Sequence, residues 1–222
     1  MDIYLCRLTL HENLYYATRE IGRLYETGHC LHNYALTYAL GLAVSPYFHA
    51  RQLPHYREDL DPLNARAVYV TPARGLEVQY VMNTFKYASN LYHVEMEKSS
   101  RNTPTFGRAK EVAVGSVFEF AVLSEHERLR LPRWVRLGLW RSKAQLTVQE
   151  MACEAPRSGI FTAALPLNPL DLSGQLLVFD LISMPPVSLL LNAQIDGTYY
   201  ELTNGLRIPA GMMYRFPDDK LR

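Results

Sequence analysis

Apolar and polar positions alternate at the start of the chain, so residues 3–10 are predicted to form a first strand. Residues 11–28, HENLYYATREIGRLYETG, are mixed and polar and read as a long connection with room for a short helical turn. Leu31, Tyr34, Ala35, Tyr38 and Leu42 fall at helical spacing. This spacing predicts a helix over 31–42, with Asn33 as its N-cap and Gly41 near its end. Pro46, Pro54 and Pro62, with the charged run Arg57-Glu58-Asp59, make 45–63 a loop or an inserted arm.

Short strands are expected at 67–71 and 76–81, separated by a Pro-Ala-Arg-Gly turn. Residues 83–90 read as a helical turn or a loop carrying Lys86, and 92–96 alternate weakly. The basic, turn-rich stretch KSSRNTPTFGRAK, 98–110, reads as mobile or ordered by a ligand. Strands are expected at 116–123 and 144–150, and a buried strand at 176–182, after a stretch rich in proline and small residues. Asp196-Gly197 between two strand-like runs, 188–194 and 198–203, signals a hairpin. One strand, one helix and then many strands fit an α+β fold, with helices on one side of an antiparallel sheet.

Length adds that the chain can bury a proper core: 222 residues are one large domain, or one domain with an elaboration. Cys6, Cys30 and Cys153 are odd in number and irregularly spaced, and read as reduced thiols that pack as small hydrophobes. The N-terminus alternates and carries an early Asp and Arg, so it reads as a strand rather than a signal peptide. No apolar run approaches the roughly 18 residues of a membrane span. Together these predict a soluble cytoplasmic protein with no membrane partner.

Charge changes the picture more. The chain nearly balances, with 23 basic and 22 acidic residues, but unevenly. Residues 98–143 carry 10 basic and 4 acidic groups, a net +6, between flanks of net −2 and −3. Within that stretch, RLRLPRWVRLGLWRSK (128–143) holds six positive charges, no acid and the two tryptophans of the chain, Trp134 and Trp140. Guanidinium forks bind phosphate bidentately, and indoles offer stacking surface to unpaired bases. Gly138 would let a backbone come close to a ligand. The combination suits single-stranded nucleic acid, RNA above all. The same alternation also fits an edge strand with solvated arginines and buried tryptophans. Trp140 reads as a stacking ring or as core, and Trp134 as core, so Trp134→Ala is expected to cost stability.

Other chemistry finds little support. His29-Cys30-x-His32 has donor atoms but no second cluster at zinc spacing, and no metal is expected. There is no phosphate-binding glycine loop before Lys-Ser or Lys-Thr, and no Gly-x-Ser-x-Gly elbow. The seven histidines are scattered. Lys86, Tyr92 and His93 are the best nuclease trio that can be assembled, with a base and a cation for a scissile phosphate.

The stretches NLYYATREIGRLYET, LHNYALTYALGL, VYVTPAR, NTFKYASNLYHVEMEK and LPRWVRLGLWRSKAQ, in that order, resemble the smaller RAMP (repeat-associated mysterious protein) subunit of type I-D CRISPR surveillance complexes. The resemblance runs from about residue 3 to residue 143, and more loosely to the C-terminus. It implies a ferredoxin-like, RRM-type RAMP module over 1–150, with an inserted β-arm or thumb within about 45–114. Residues 151–222 would be a β-rich extension packed on the same domain.

It further implies a non-catalytic subunit of the Cascade complex, without cofactor, that caps the 5′ handle of the guide RNA in antiviral defence. The subunit would contact the backbone and large subunits near the protospacer-adjacent-motif site, with target double-stranded DNA a partner in the assembled complex. Arg133, Arg136, Arg141 and Lys143 would hold handle phosphates, Trp140 would stack, and Gly138 would permit close approach. Arg19 and Arg23 are second-tier contacts, or surface ion pairs with Glu20 and Glu26. Lys98, Arg101, Arg108 and Lys110 would touch RNA or target DNA near the thumb. The alternatives are a guide-RNA-processing endoribonuclease of the same superfamily and a protein–protein adaptor whose basic stripe meets an acidic neighbour.

Overall fold

A computed structural model describes residues 1–45, 54–86, 88–89, 94–95, 106–153 and 155–217. The chain opens with β1 (Asp2–Leu10), then β2 (Arg19–Ile21), β3 (Leu24–Glu26) and β4 (Cys30–Leu31). Helices α1 (Asn33–Ala39), α2 (Tyr56–Leu60) and α3 (Pro62–Ala65) come next. Strands β5 (Val68–Val70) and β6 (Ala73–Glu77) lead into an arm of β7 (Tyr80–Lys86), β8 (Ala88–Ser89), β9 (Val94–Glu95) and β10 (Phe106–Val112). The chain returns through β11 (Val117–Ser124), β12 (Trp134–Leu137) and β13 (Ser142–Met151). It ends in β14 (Arg157–Thr162), β15 (Gln175–Ile182), β16 (Leu189–Glu201) and β17 (Arg207–Pro209).

The organising element is a seven-stranded antiparallel sheet in the order β12-β13-β1-β11-β6-β4, with β5 also on β11. β1 lies between β13 and β11 and is apolar on both sides. Ile3 and Leu5 enter one core cluster, and Tyr4, Cys6, Leu8 and Leu10 the other, as a period of two requires of a strand covered on both faces. Arg7 interrupts the run by pairing with buried Glu119 at 3.3 Å. Arg74 holds the same carboxylate at 2.7 Å. The other guanidinium nitrogen of Arg74 donates to the Ala164 carbonyl at 3.0 Å, tying the large sheet to the C-terminal part.

The C-terminal sheet, β14-β16-β15 with β17 on β16, covers the first of these clusters with Phe161, Leu190, Ala193 and Ile195. α1 lies between the two clusters, with Tyr34 in one and Leu36 and Leu40 in the other. Asp171, fully buried, fastens the C-terminal end to this centre. Its carboxylate accepts from Asn33 Nδ2 at 2.9 Å, the Tyr69 hydroxyl at 2.8 Å and the Arg215 backbone N–H at 2.8 Å. Burial nonetheless pushes Asp171 up to about 7, against the pull of those donors. Next to it the buried Tyr214 hydroxyl accepts from Val70 N–H at 3.1 Å and meets the Thr37 hydroxyl at 2.6 Å.

Several expectations change. The N-cap of α1 is His32, whose ring accepts from Tyr34 N–H, and Asn33 is the first helical residue. Residues 54–66 are not an open loop: α2 and α3 form there, and Pro62 starts α3 where its missing N–H costs nothing. Within the region read as a connection, β2 and β3 pair. The Pro-Ala-Arg-Gly stretch belongs largely to β6, and residues 83–86 continue β7 instead of forming a helical turn. β14 occupies part of the proline-rich stretch.

β15 is apolar but not buried, with Val178 64% and Leu181 61% exposed. Asp196-Gly197 makes no hairpin, because β16 runs straight through it. There Gly197 pairs with Gly159, and a Cβ on it would stand 3.2 Å from the Cα of Gly174, so the glycine serves backbone approach rather than a turn. The three helices are short and the fold is β-rich. All three cysteines are free, and burial pushes Cys6 and Cys30 up to about 12, which makes them poor nucleophiles. Among the described residues no helix is long and apolar enough to cross a membrane.

Candidate nucleic-acid interface

The basic segment folds as the β12–β13 hairpin, and β12 is the outer edge of the large sheet. Period two sends Val135 and Leu137 into the core and leaves Trp134 and Arg136 outside. On β13 the cross-strand partner of Arg136 is Lys143, so two like charges face each other directly. Gly138 and Arg141, both at positive φ (78° and 55°), shape the turn, and Arg141 N–H donates back to Gly138 at 3.1 Å. An Arg136 guanidinium N–H donates to the Arg141 backbone carbonyl at 3.0 Å, which fixes the Arg136 head at the turn.

Gly138 is required by the chain itself. A Cβ there would come within 2.8 Å of the Tyr15 carbonyl oxygen, and the next residue, Leu139, donates its N–H to that same oxygen at 2.9 Å. The close approach expected for a ligand is therefore made by the β1–β2 connection. That contact brings Tyr15 under Trp140, stacked at 4.5 Å between centroids and 29° between planes. Trp140 is not core: it keeps half its surface exposed.

Trp134 is also outside, at 44% exposure, which reverses its expected placement. His11 meets it edge-on at 4.9 Å, and the Lys143 ammonium sits 4.2 Å from its ring centroid. Trp134→Ala is therefore expected to cost about 1 kcal/mol or less, typical of a half-exposed site. A thermal melt checks this; a loss of about 3 kcal/mol, the size of a core cavity, would return the ring to the interior.

One guanidinium nitrogen of Arg128 donates to both carboxylate oxygens of Glu150, at 2.6 and 2.9 Å. Arg130, Arg133, Arg136 and Arg141 have no carboxylate partner among the described residues, and Arg133, Arg136 and Arg141 are exposed. The hairpin thus carries Trp134, Arg136 and Lys143 on the side away from the core, with Arg141 and Trp140 in its turn and Arg133 just before it. Sequence reasoning missed Tyr15 and His11, though a Tyr-Tyr pair inside a polar connection was a signal.

The remaining candidates lie on a second sheet, β2-β3-β10-β7. Arg23 lies just beyond β2 at the β2–β3 turn, and Arg108 N–H donates to its carbonyl at 2.8 Å. Arg19 is exposed on β2, in register with Glu26. Among the described residues the expected pairs with Glu20 and Glu26 do not form: Glu26 is taken by Lys110 at 3.6 Å, and Lys110 also lies over Tyr80 at 4.2 Å. Lys98, Arg101, Tyr92 and His93 lie outside the described residues. No group of three or more His, Cys, Asp or Glu among the described residues could hold a metal ion.

Comparison with solved structures finds similarity to a chain of the type III-B Cmr-beta complex bound to cognate target RNA and AMPPnP. The two are 9% identical over 86% of each chain, with a TM-score of 0.46. No curated protein matches. The family described as "Type I-D CRISPR-associated protein Cas5/Csc1" matches residues 1–217, nearly the whole chain, and the protein belongs to that family.

Proposed function

We propose that this protein is a non-catalytic subunit of the type I-D surveillance complex that grips the 5′ handle of the guide RNA with the β12–β13 face. The observation that carries this reading is the placement of Arg136 directly opposite Lys143, beside exposed Arg133 and Arg141. Like charges in facing positions destabilise a sheet. Glu12 reaches only the backbone N–H of Lys143, at 2.8 Å, so a bound anion would supply the partner that the Arg136 guanidinium lacks. The Tyr15–Trp140 stack at the turn of the same hairpin offers a platform for an unpaired base.

A guide-RNA end has fixed sequence and can be held by phosphate contacts for position and by stacking and edge contacts for identity. Target recognition is left to base pairing, so a rigid docking face suffices and no catalytic centre is needed. The order β13-β1-β11-β6, with α1 in the first crossover, supports a ferredoxin-like RAMP module. In chain order β12 comes where a second helix is expected, between β11 and β13, but it joins the sheet as its edge. The β7–β10 hairpin supports the reading of an inserted thumb. Contacts with the backbone and large subunits near the protospacer-adjacent-motif site, and with target double-stranded DNA, complete the reading in a cytoplasmic complex.

Tagged protein recovered from cells that express the effector subunits and a CRISPR array tests it. Bound RNA should be discrete guides sharing one 5′ handle, recovered together with the backbone and large subunits. Recovery of partners with the same guide content whether or not this protein is present would sink it.

A further inference from the structure

The base of the arm carries a second cationic site on different elements from the β12–β13 face. Ile21, Arg23, Leu24 and Arg108 line an open depression of about 400 Å³. Arg23 and Arg108 are brought together by the parallel pairing of β3 with β10 and by the backbone bond between them. Both are exposed, and neither has a carboxylate partner among the described residues. Lys110, two residues further along β10 on the same side of the pleat, is by contrast held by Glu26. Ile21 is 49% exposed, an aliphatic surface beside two guanidinium groups.

We propose that this depression seats one nucleotide of a single strand. Its phosphate lies between Arg23 and Arg108, and its sugar and base face rest on Ile21 and Leu24. Paired guanidinium groups match the oxygens of a phosphodiester. An aliphatic floor fits the flat face of an unstacked base, which a duplex does not present. Charge alone would not require that floor.

The proposal rests on the RNA-binding reading above and adds a second anchor to it. Tyr15, under the stacking indole, and Arg23 are eight residues apart. Eight residues span at most about 28 Å, so one strand can reach both places.

The test uses the full chain and three probes: a 12-nucleotide oligouridine RNA, the matching oligothymidine DNA, and the same RNA carrying 4-thiouridine for crosslinking. Arg23→Ala with Arg108→Ala should flatten the plot of log affinity against log salt by about 0.7, one phosphate on a single strand. It should also abolish crosslinks to residues 21–24 and 106–110. Arg23→Lys with Arg108→Lys keeps the charge, and should keep most of the salt slope. Loss with both RNA and DNA identifies a phosphate-and-base site shared by the two; loss with RNA alone assigns it to the guide strand. An unchanged slope, with crosslinks confined to the β12–β13 face, overturns the proposal while leaving the guide-binding reading intact. Absence of salt-dependent binding in the parent protein overturns both.

Discussion

Replacing Arg136 and Arg141 together by Ala is expected to weaken binding of a handle-bearing RNA at least about 100-fold, or about 2.7 kcal/mol. Each guanidinium is exposed, and the bond to the Arg141 backbone carbonyl holds the Arg136 head in place, so that side chain loses little freedom when a phosphate arrives. Hydrogen bonds between charged partners contribute about 1.5–3 kcal/mol each, and two of them account for the expected loss. Stability should move the other way. Removing Arg136 relieves its opposition to Lys143, so the urea midpoint should hold or rise slightly, by the few tenths of a kcal/mol typical of cross-strand charge pairs. Filter binding and urea unfolding on one preparation read both effects. Unchanged affinity would remove this face from guide recognition, and a large fall in stability would make the two arginines structural.

The second large effect lies far from that face. Tyr214→Phe deletes the acceptor of the buried Val70 N–H and one of two partners of the Thr37 hydroxyl, which keeps its bond to the Asn33 carbonyl. The expected cost is about 1–3 kcal/mol. Asp171 adds a pH dependence whose sign comes from its environment. Burial raises it from 3.8 to about 7, so between those values the folded chain holds a proton that the unfolded chain has released. Stability contributed by this group therefore falls as pH rises from about 4 to about 7 and is level above that.

Asp171→Asn should abolish that slope. It should also be less stable than the parent at pH 5, because an amide cannot accept from Asn33, Tyr69 and Arg215 N–H at once. Urea midpoints at pH 5 and pH 8 for both proteins decide it. A parent midpoint that rises over this interval, with Asp171→Asn rising less, would mean that the carboxylate is ionised in the fold and that its three donors outweigh burial.

Where one pattern governed, the sequence was legible. β1 and β11 are short, largely apolar runs and β13 begins in clean alternation, and their positions were readable to within a residue or two. The basic hairpin was visible as charge, but the phase of its alternation was misjudged for Trp134. Val135 and Leu137 set the inner face, and the period of two then leaves the indole with Arg136. The Asp-Gly pair misled because its glycine answers to Gly159 and Gly174, one distant in sequence and the other in a neighbouring segment. Pro62 looked like a breaker and is a helix start, since the same ring that ends one helix presets the first φ of another. Nothing local could have joined Arg23 to Arg108 or Tyr15 to Trp140, because both pairings are made by strands meeting across the fold.

β15 has a consequence for how the free protein behaves in solution. Among the described residues it pairs only with β16, so its other edge presents unpaired N–H and C=O groups, and Val178, Phe179 and Leu181 stand exposed along it. Two register irregularities, around Val178, interrupt the pairing with β16 and disturb the regularity of the strand. Asp180, bonded by Asn192 at 2.8 Å, is the one charged residue within it, and no lysine, arginine or proline accompanies it. A long aliphatic edge of this kind nucleates strand-on-strand self-association. Self-association of the isolated protein is therefore expected to start at this eight-residue strand.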